Sequence, residues 1–506
     1  MPDAPGRSSL NDSRSLDEES ARSTVLSVPY ETILAISDLH LGPGRDEITD
    51  TFPITENFLL DEPFARFLEY HAPKAEAPAL LIFNGDTFDF LRITRTVAGP
   101  NDRAAWLTRL ERLNAQDRIV ESDVPTRGGE RTFGLQTHDY KSVWKLHVII
   151  EGHRVFFRAL ARWLERGGRL LFVVGNHDLE LHWPLVRAAL RDEFASLAEF
   201  GAPIESAVAF ADRSFVLANL YVEHGHQYES MTRVLGPAVL ERRPTELNLP
   251  LGSFVNRYFI NRIERLDPYI DNRKPVGQAL MALLRQRPIT VFRIYSGGWK
   301  FLLRALGHAT TRYGILAILL VLALFTPILT ALAVALWMLF PGLREAATSV
   351  FPNLSSANVR AGGIVGGLSL PAVLPYVFGA MRDIARDLGF RRSHDALVKG
   401  ASQRLAESFP NEDQPRRIYA VMGHTHLQLT VRLDRRGGEA YYLNTGAWVP
   451  RWPADRPDLA GRTVLTFARF QRAAHGEYRH EMLEWCEEAG GPRRATIVVV
   501  PSEEHS

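Results

Sequence analysis

Cysteine is nearly absent: Cys486 is the only one among 506 residues. This excludes an internal disulfide and any cysteine-built zinc site, and it fits a reducing compartment. A charge surplus of either sign is also missing. Lys and Arg number 59 against 58 Asp and Glu, for a net charge of +1, whereas a general nucleic-acid binder carries a basic excess. The first 28 residues lack any apolar stretch that could form a signal-peptide core. Rich in Ser, Arg, Asp and Glu, they read as a disordered tail, and the folded part of the chain is expected in the cytoplasm. What the chain does have is histidine, 16 in all, and enough length for roughly two to four domains.

Short apolar runs at Thr32–Ser37, Ala79–Asn84, Leu170–Val174, Phe215–Val222, Ile418–Met422 and Tyr441–Leu443 predict strands covered on both faces. Between them, Ser142–Arg166 predicts a helix, with Trp144, His147, Val148, Phe156, Leu160 and Trp163 at helical spacing. Strands alternating with helices predict a layered α/β domain. Two uncharged runs break the pattern, Gly314–Phe340 and Ala361–Met381, each longer than the ~18 apolar residues of a bilayer span. The expected layout is a tail (1–28), a first catalytic part (29–230), a helical insertion (231–398) and a second catalytic part (399–500).

The chemistry-bearing motifs each follow an apolar strand. They are Asp38-Leu39-His40, Gly85-Asp86-Thr87-Phe88-Asp89, Gly175-Asn176-His177-Asp178, His224-Gly225-His226 and Gly423-His424-Thr425-His426. The carboxyl ends of strands in an α/β fold line a common crevice, so these side chains can converge. Carboxylates and imidazoles together suit Mn, Fe or Zn. Two metals about 3.5–4 Å apart need a shared carboxylate, and Asp86 is the natural bridge. Glycines before Asp86, Asn176 and His424 permit sharp turns and close backbone approach. Asp89 is expected to hydrogen-bond a ligand or a turn amide. His138, His147, His153 and His182 have no motif context and read as structural.

In this order the five motifs resemble the signature of the calcineurin-like metallophosphoesterases, and Tyr441–Trp448 is similar to the family's closing strand and turn. The resemblance implies a layered β-sandwich flanked by helices. It implies that Asp38, His40, Asp86 and His426 hold one divalent metal, and Asp86, Asn176, His224 and His424 the other. The fourth motif favours His224 as ligand because the family's ligand directly precedes a Gly, with His226 as the alternative. Two metals, Mn first and Fe or Zn next, would activate a water for in-line attack on phosphorus. His177 would protonate the leaving oxygen and Asp178 would orient that imidazole.

The insertion falls between the fourth and fifth motifs, where UDP-2,3-diacylglucosamine hydrolases carry a helical, membrane-facing lid; the similarity is architectural only. Basic residues flank the apolar runs: Arg293, Lys300, Arg304 and Arg312 before, and Arg382, Arg386, Arg391, Arg392, Lys399 and Arg404 after. The connecting loop has only Arg344 and Arg360. This bias predicts a two-span hairpin with the catalytic domain on the cytoplasmic face, and buried lid or dimer helices are the alternative. The expected function is a metal-dependent phosphoesterase acting on a lipid-linked phosphate or pyrophosphate at the membrane. A soluble nucleotide or phosphoprotein is the second substrate class. A binding scaffold with the same fold, catalytically idle, is the competing reading of another kind.

Overall fold

In the computed structural model, the apolar runs form strands because each can bury both faces. The structure describes residues 18–273 and 390–499, apart from isolated positions and short loops, and a few residues between 282 and 294. The first half contains β1 (Thr32–Ile36), β2 (Ala79–Asn84), β3 (Arg169–Val173), β4 (Val208–Ala211), β5 (Ser214–Leu217) and β6 (Leu220–Glu223). A small hairpin follows, β7 (Val239–Leu240) and β8 (Arg243–Leu247). The second half contains β9 (Arg417–Met422), β10 (Gln428–Leu433), β11 (Glu439–Thr445), β12 (Leu465–Arg472), β13 (Tyr478–Cys486), β14 (Gly491–Arg494) and β15 (Val498–Val499).

Two mixed sheets result. One has seven strands in the order β14-β13-β12-β1-β2-β3-β4, with β1 to β4 parallel. The other has six, β15-β10-β11-β9-β6-β5, with β6, β9 and β11 parallel. Successive side chains of a strand point to opposite faces, and the cores sort accordingly. Ile33 and Ala35 of β1 join Tyr419 and Val421 of β9 in a core shared by the two sheets. Leu34 and Ile36 face the helices Asp61–Tyr70, Asp139–Gly152, Arg154–Glu165 and Pro184–Leu197. Ile418, Ala420 and Met422 face Leu397, Ala401 and Leu405, one stripe of the helix Phe390–Ser408. The layers are helix, sheet, sheet, helix.

Three expectations change. Residues 18–27, expected in the disordered tail, are helical; Val25 is fully buried and Tyr30 Oη donates to its carbonyl at 2.7 Å. The apolar face of this short helix closes one end of the inter-sheet core. Phe215–Val222 is not one strand but the β5–β6 hairpin, turning at Ala218 with φ +51°. Ser142–Arg166 is two helices broken at His153, whose ring is held between two carboxylates from another segment.

Among the described residues, no helix is long and apolar enough to cross a membrane. The expected spans Gly314–Phe340 and Ala361–Met381 lie outside the described residues. All described residues fall in one compact unit, including those of the expected insertion: β7, β8 and the helical run Leu251–Ile263.

Candidate metal centre

Because β1, β2 and β3 run parallel in one sheet, and β6 and β9 in the other, their carboxyl ends can meet at one end of the sandwich. Asn84 ties the two sheets there, its Nδ2 donating to the carbonyls of Glu223 (3.0 Å) and Val421 (3.2 Å). The turns are tight. Asp38, His40, Asp86, His424 and His426 all have left-handed backbones, with φ between +50° and +70°. Each such non-glycine residue costs on the order of 1–3 kcal/mol and persists only where its surroundings over-determine it. Here they do: His40 N donates to Asp86 O (2.9 Å), and His424 N to Asp38 Oδ2 (2.9 Å). A Cβ on Gly85 would lie 2.3 Å from His224 Nδ1, and one on Gly175 would lie 2.1 Å from Asp86 Oδ1. Only glycine lets these loops close.

Buried His and Asp side chains form groups that could hold a metal ion, among them Asp38, His40 and His426, and Asp86, His224 and His424. In the first, His40 Nε2 lies 3.1 Å from His426 Nε2, and His426 Nε2 lies 3.4 Å from Asp38 Oδ1. In the second, His224 Nε2 lies 3.1 Å from Asp86 Oδ2, which is also 3.9 Å from His40 Nε2. One oxygen of Asp86 thus stands between the two groups, while the other accepts from His177 N at 2.8 Å. Asn176 Oδ1 is buried without a hydrogen-bond partner. A cation supplies what such lone pairs need, since buried acceptors are otherwise costly. The donor set therefore fits a metal.

Charge is concentrated. Burial alone would raise the Asp86 carboxyl, but His224, His177 and His40 outweigh it and hold it well below the carboxylate range. Burial raises Asp38, with His224 opposing. His224 is pushed up to about 10, because Asp86 and Asp38 overcome its desolvation. Its Nδ1 lies 2.8 Å from the Asn84 carbonyl. That contact turns Nε2 toward Asp86, the usual way an outer partner orients a ligand imidazole. His226 is buried with ring centroids 5.5 Å from His224 and 6.4 Å from His424. Desolvation, and then those two imidazoles, hold its pKa well below the ordinary value. It stands beside the group and is not part of it.

The acid–orienter pairing differs from expectation. Asp178 does not serve His177: its Oδ2 accepts from Thr87 N (2.8 Å) and its Oδ1 from Gly175 N (2.6 Å). It braces the loops after β2 and β3, and burial, then the charge of Asp86, pushes it up to about 7. Asp89 takes the orienting place. Its Oδ2 lies 3.1 Å from His177 Nδ1 and 3.5 Å from His40 Nδ1. His177 is pushed up to about 9, with burial opposed by Asp89 and Asp86. The side chains of His177 and His426 are 14% and 18% exposed, against 2% or less for Asp38, Asp86 and His224. The site opens on the first two.

Sequence reasoning assigned no role to Asn84, Asn444, Ser253 or Arg92. Asn444 Nδ2 donates to Gly423 O (2.7 Å) and its Oδ1 accepts from Gly446 N (3.0 Å), which locks the His424 turn. Ser253 Oγ donates to Asn176 O (3.1 Å), and Arg92 Nε to Asp89 Oδ2 (2.8 Å). A polar residue ending an otherwise apolar strand, as Asn84 and Asn444 do, was the available signal. No protein-family model matches the chain, and no curated protein matches it.

Proposed function

We propose that this chain is a metal-dependent phosphoesterase of the calcineurin-like type, cleaving a phosphate ester or pyrophosphate. The observation that carries the reading is the Asp86 carboxylate shared between two donor sets. Asp38, His40 and His426 would hold one ion with Asp86; Asn176, His224 and His424 would hold the other. Two divalent ions, Mn first and Fe or Zn next, would activate a water and neutralise charge on the phosphoryl oxygens. The protein's own part is proton delivery and orientation. Asp89 at Nδ1 fixes the ring of His177, so that Nε2 carries the proton to the leaving oxygen at the open side of the site. A complete donor set with an acid beside it argues against an idle scaffold.

The two apolar runs of the sequence favour a lipid-linked substrate reached from the cytoplasmic face of a membrane; a soluble nucleotide or phosphoprotein is the other class. The test is a metal-stripped preparation titrated with Mn²⁺ and assayed on nitrophenyl mono- and diesters, nucleotides and phospholipid-headgroup esters. Two bound equivalents and cleavage of at least one class are expected. Failure to bind any divalent ion, or binding without cleavage across the panel, overturns the reading. Carbonate washing of membranes tests the anchor: full-length protein should stay with the membrane, and a variant with Gly314–Met381 replaced by a Gly/Ser linker should not. Full-length protein released by the wash removes the lipid-linked substrate argument.

A further inference from the structure

The helical run Leu251–Ile263 turns a polar stripe inward. Ser253, Arg257, Asn261 and Glu264 recur at helical spacing and all are buried. Each is used on a loop of the catalytic half. Ser253 holds the Asn176 carbonyl. Arg257 donates to the carbonyls of Gly134 (2.8 Å) and Leu135 (2.6 Å), and Asn261 Nδ2 to Leu91 O (2.6 Å). Glu264 pairs with the Arg92 guanidinium. Buried polar groups persist where they are paired, and this face pairs with segments far off in the chain, two of its contacts, Ser253 to Asn176 and Glu264 to Arg92, lying at the site.

At its end a line of alternating charge runs into the metal centre. Glu264 meets Arg92 Nη1, Arg92 Nε donates to Asp89 Oδ2 at 2.8 Å, and the same oxygen faces His177 Nδ1 at 3.1 Å. Asp89, Arg92 and Glu264 are all buried, so little solvent screens the line. We propose that Glu264 is a positioning residue for the general acid: by anchoring Arg92 it fixes the Asp89 carboxylate against His177. Arg92 Nη1 also donates to the Thr55 carbonyl (3.1 Å), a weaker hold than a carboxylate, so without Glu264 the guanidinium can swing to take Asp89 with two of its nitrogens, since bidentate pairing is what Arg prefers with a carboxylate. The carboxylate then turns away from the imidazole. The inference rests on the phosphoesterase reading for its kinetic consequence but not for its geometry.

The experiment compares Glu264→Gln, Arg92→Gln, His177→Asn and their pairwise combinations in the full chain. With Mn²⁺, Glu264→Gln should slow esters of poor leaving groups about 10- to 100-fold more than nitrophenyl esters, with both metal equivalents retained. It should add nothing to His177→Asn, and Arg92→Gln should reproduce it without adding to it, because residues acting as one unit are non-additive. In metal-free protein with ¹⁵N-labelled histidine, the His177 Nδ1–H signal, assigned by its loss in His177→Asn, should be slow to exchange in the wild type and fast in Glu264→Gln. Equal loss for both leaving-group classes, additivity with His177→Asn, or an unchanged Nδ1–H signal overturns the proposal and leaves Glu264 as a fold brace. If no ester is cleaved by any form while the Nδ1–H signal still responds, the phosphoesterase reading fails and the coupling stands. Should Glu264→Gln not fold, Glu264→Asp, which withdraws the charge by one methylene, carries the same comparison.

Discussion

Two of the buried clusters of imidazole and carboxylate among the described residues differ in the backbone that carries them. In the first, His153 lies 3.0 Å from Asp61 and 3.6 Å from Glu56. Glu56 also accepts from the amides of Gly42, Gly44, Asn57 and Phe58. Burial opposes the imidazolium, but Asp61 and Glu56 outweigh it and push His153 up to about 10. One imidazolium is shared between two carboxylates, and the result is a staple on the loop that follows His40. At the candidate metal centre His40 Nε2 and His426 Nε2 face each other at 3.1 Å, and Asn176 Oδ1 is buried without a hydrogen-bond partner. Five residues there hold left-handed backbones; none of His153, Glu56 and Asp61 does. Residue type does not distinguish a brace from a candidate site, whereas ligand-type side chains gathered on strained left-handed backbones do.

The largest effect expected from breaking this contrast is at the shared carboxylate. Asp86→Ala should abolish hydrolysis and cost both metals by elemental analysis, since each donor set loses a member. Retention of two equivalents would separate Asp86 from the metals. Next comes the acid. His177→Asn should keep both metals yet slow poor leaving groups by about 10²–10⁴-fold, with nitrophenyl esters less affected; equal losses would point to a binding role.

The staple should answer in stability, not in chemistry. His153→Gln breaks a buried ion pair, a change that costs about 3–5 kcal/mol, read by denaturant unfolding. The pKa of His153 is raised in the folded state, so its contribution is full below the unfolded value of 6.5 and is lost as pH rises through about 10. The gap between wild type and His153→Gln should therefore be widest at pH 6 and narrow toward pH 10; a gap that is constant with pH would mean the imidazolium is not the stabilising species. The smallest effect on rate belongs to Asp178→Asn. Loss of one amide acceptor leaves a buried N–H unsatisfied at about 1–3 kcal/mol, with the leaving-group dependence unchanged. Asp89→Asn should alter that dependence, and the reverse pattern would restore Asp178 as the orienting group.

Local chemistry in the sequence was enough to place most of the strands and the motif-bearing loops after them. An apolar run covered on both faces must be a buried strand, and a ligand motif directly after it must sit at the strand's carboxyl end. That is why β1, β2, β3, β9 and β11, and the positions of the motifs that follow β1, β2, β3 and β9, could be read from the chain. Partners were not legible. Asp178 is the chain neighbour of His177 and Asp89 lies on the loop after another strand, and only the packing of the β2 and β3 loops decides which reaches its ring. The break at His153 likewise depends on carboxylates supplied from elsewhere. The use of Ser253, Asn261 and Glu264 against the catalytic loops joins residues more than 75 positions apart. Periodicity and turn propensity are properties of neighbouring residues, so the sequence displays them directly. The partner of a buried side chain is a property of the closed fold, because only packing brings distant segments within the 3 Å over which a hydrogen bond chooses its acceptor.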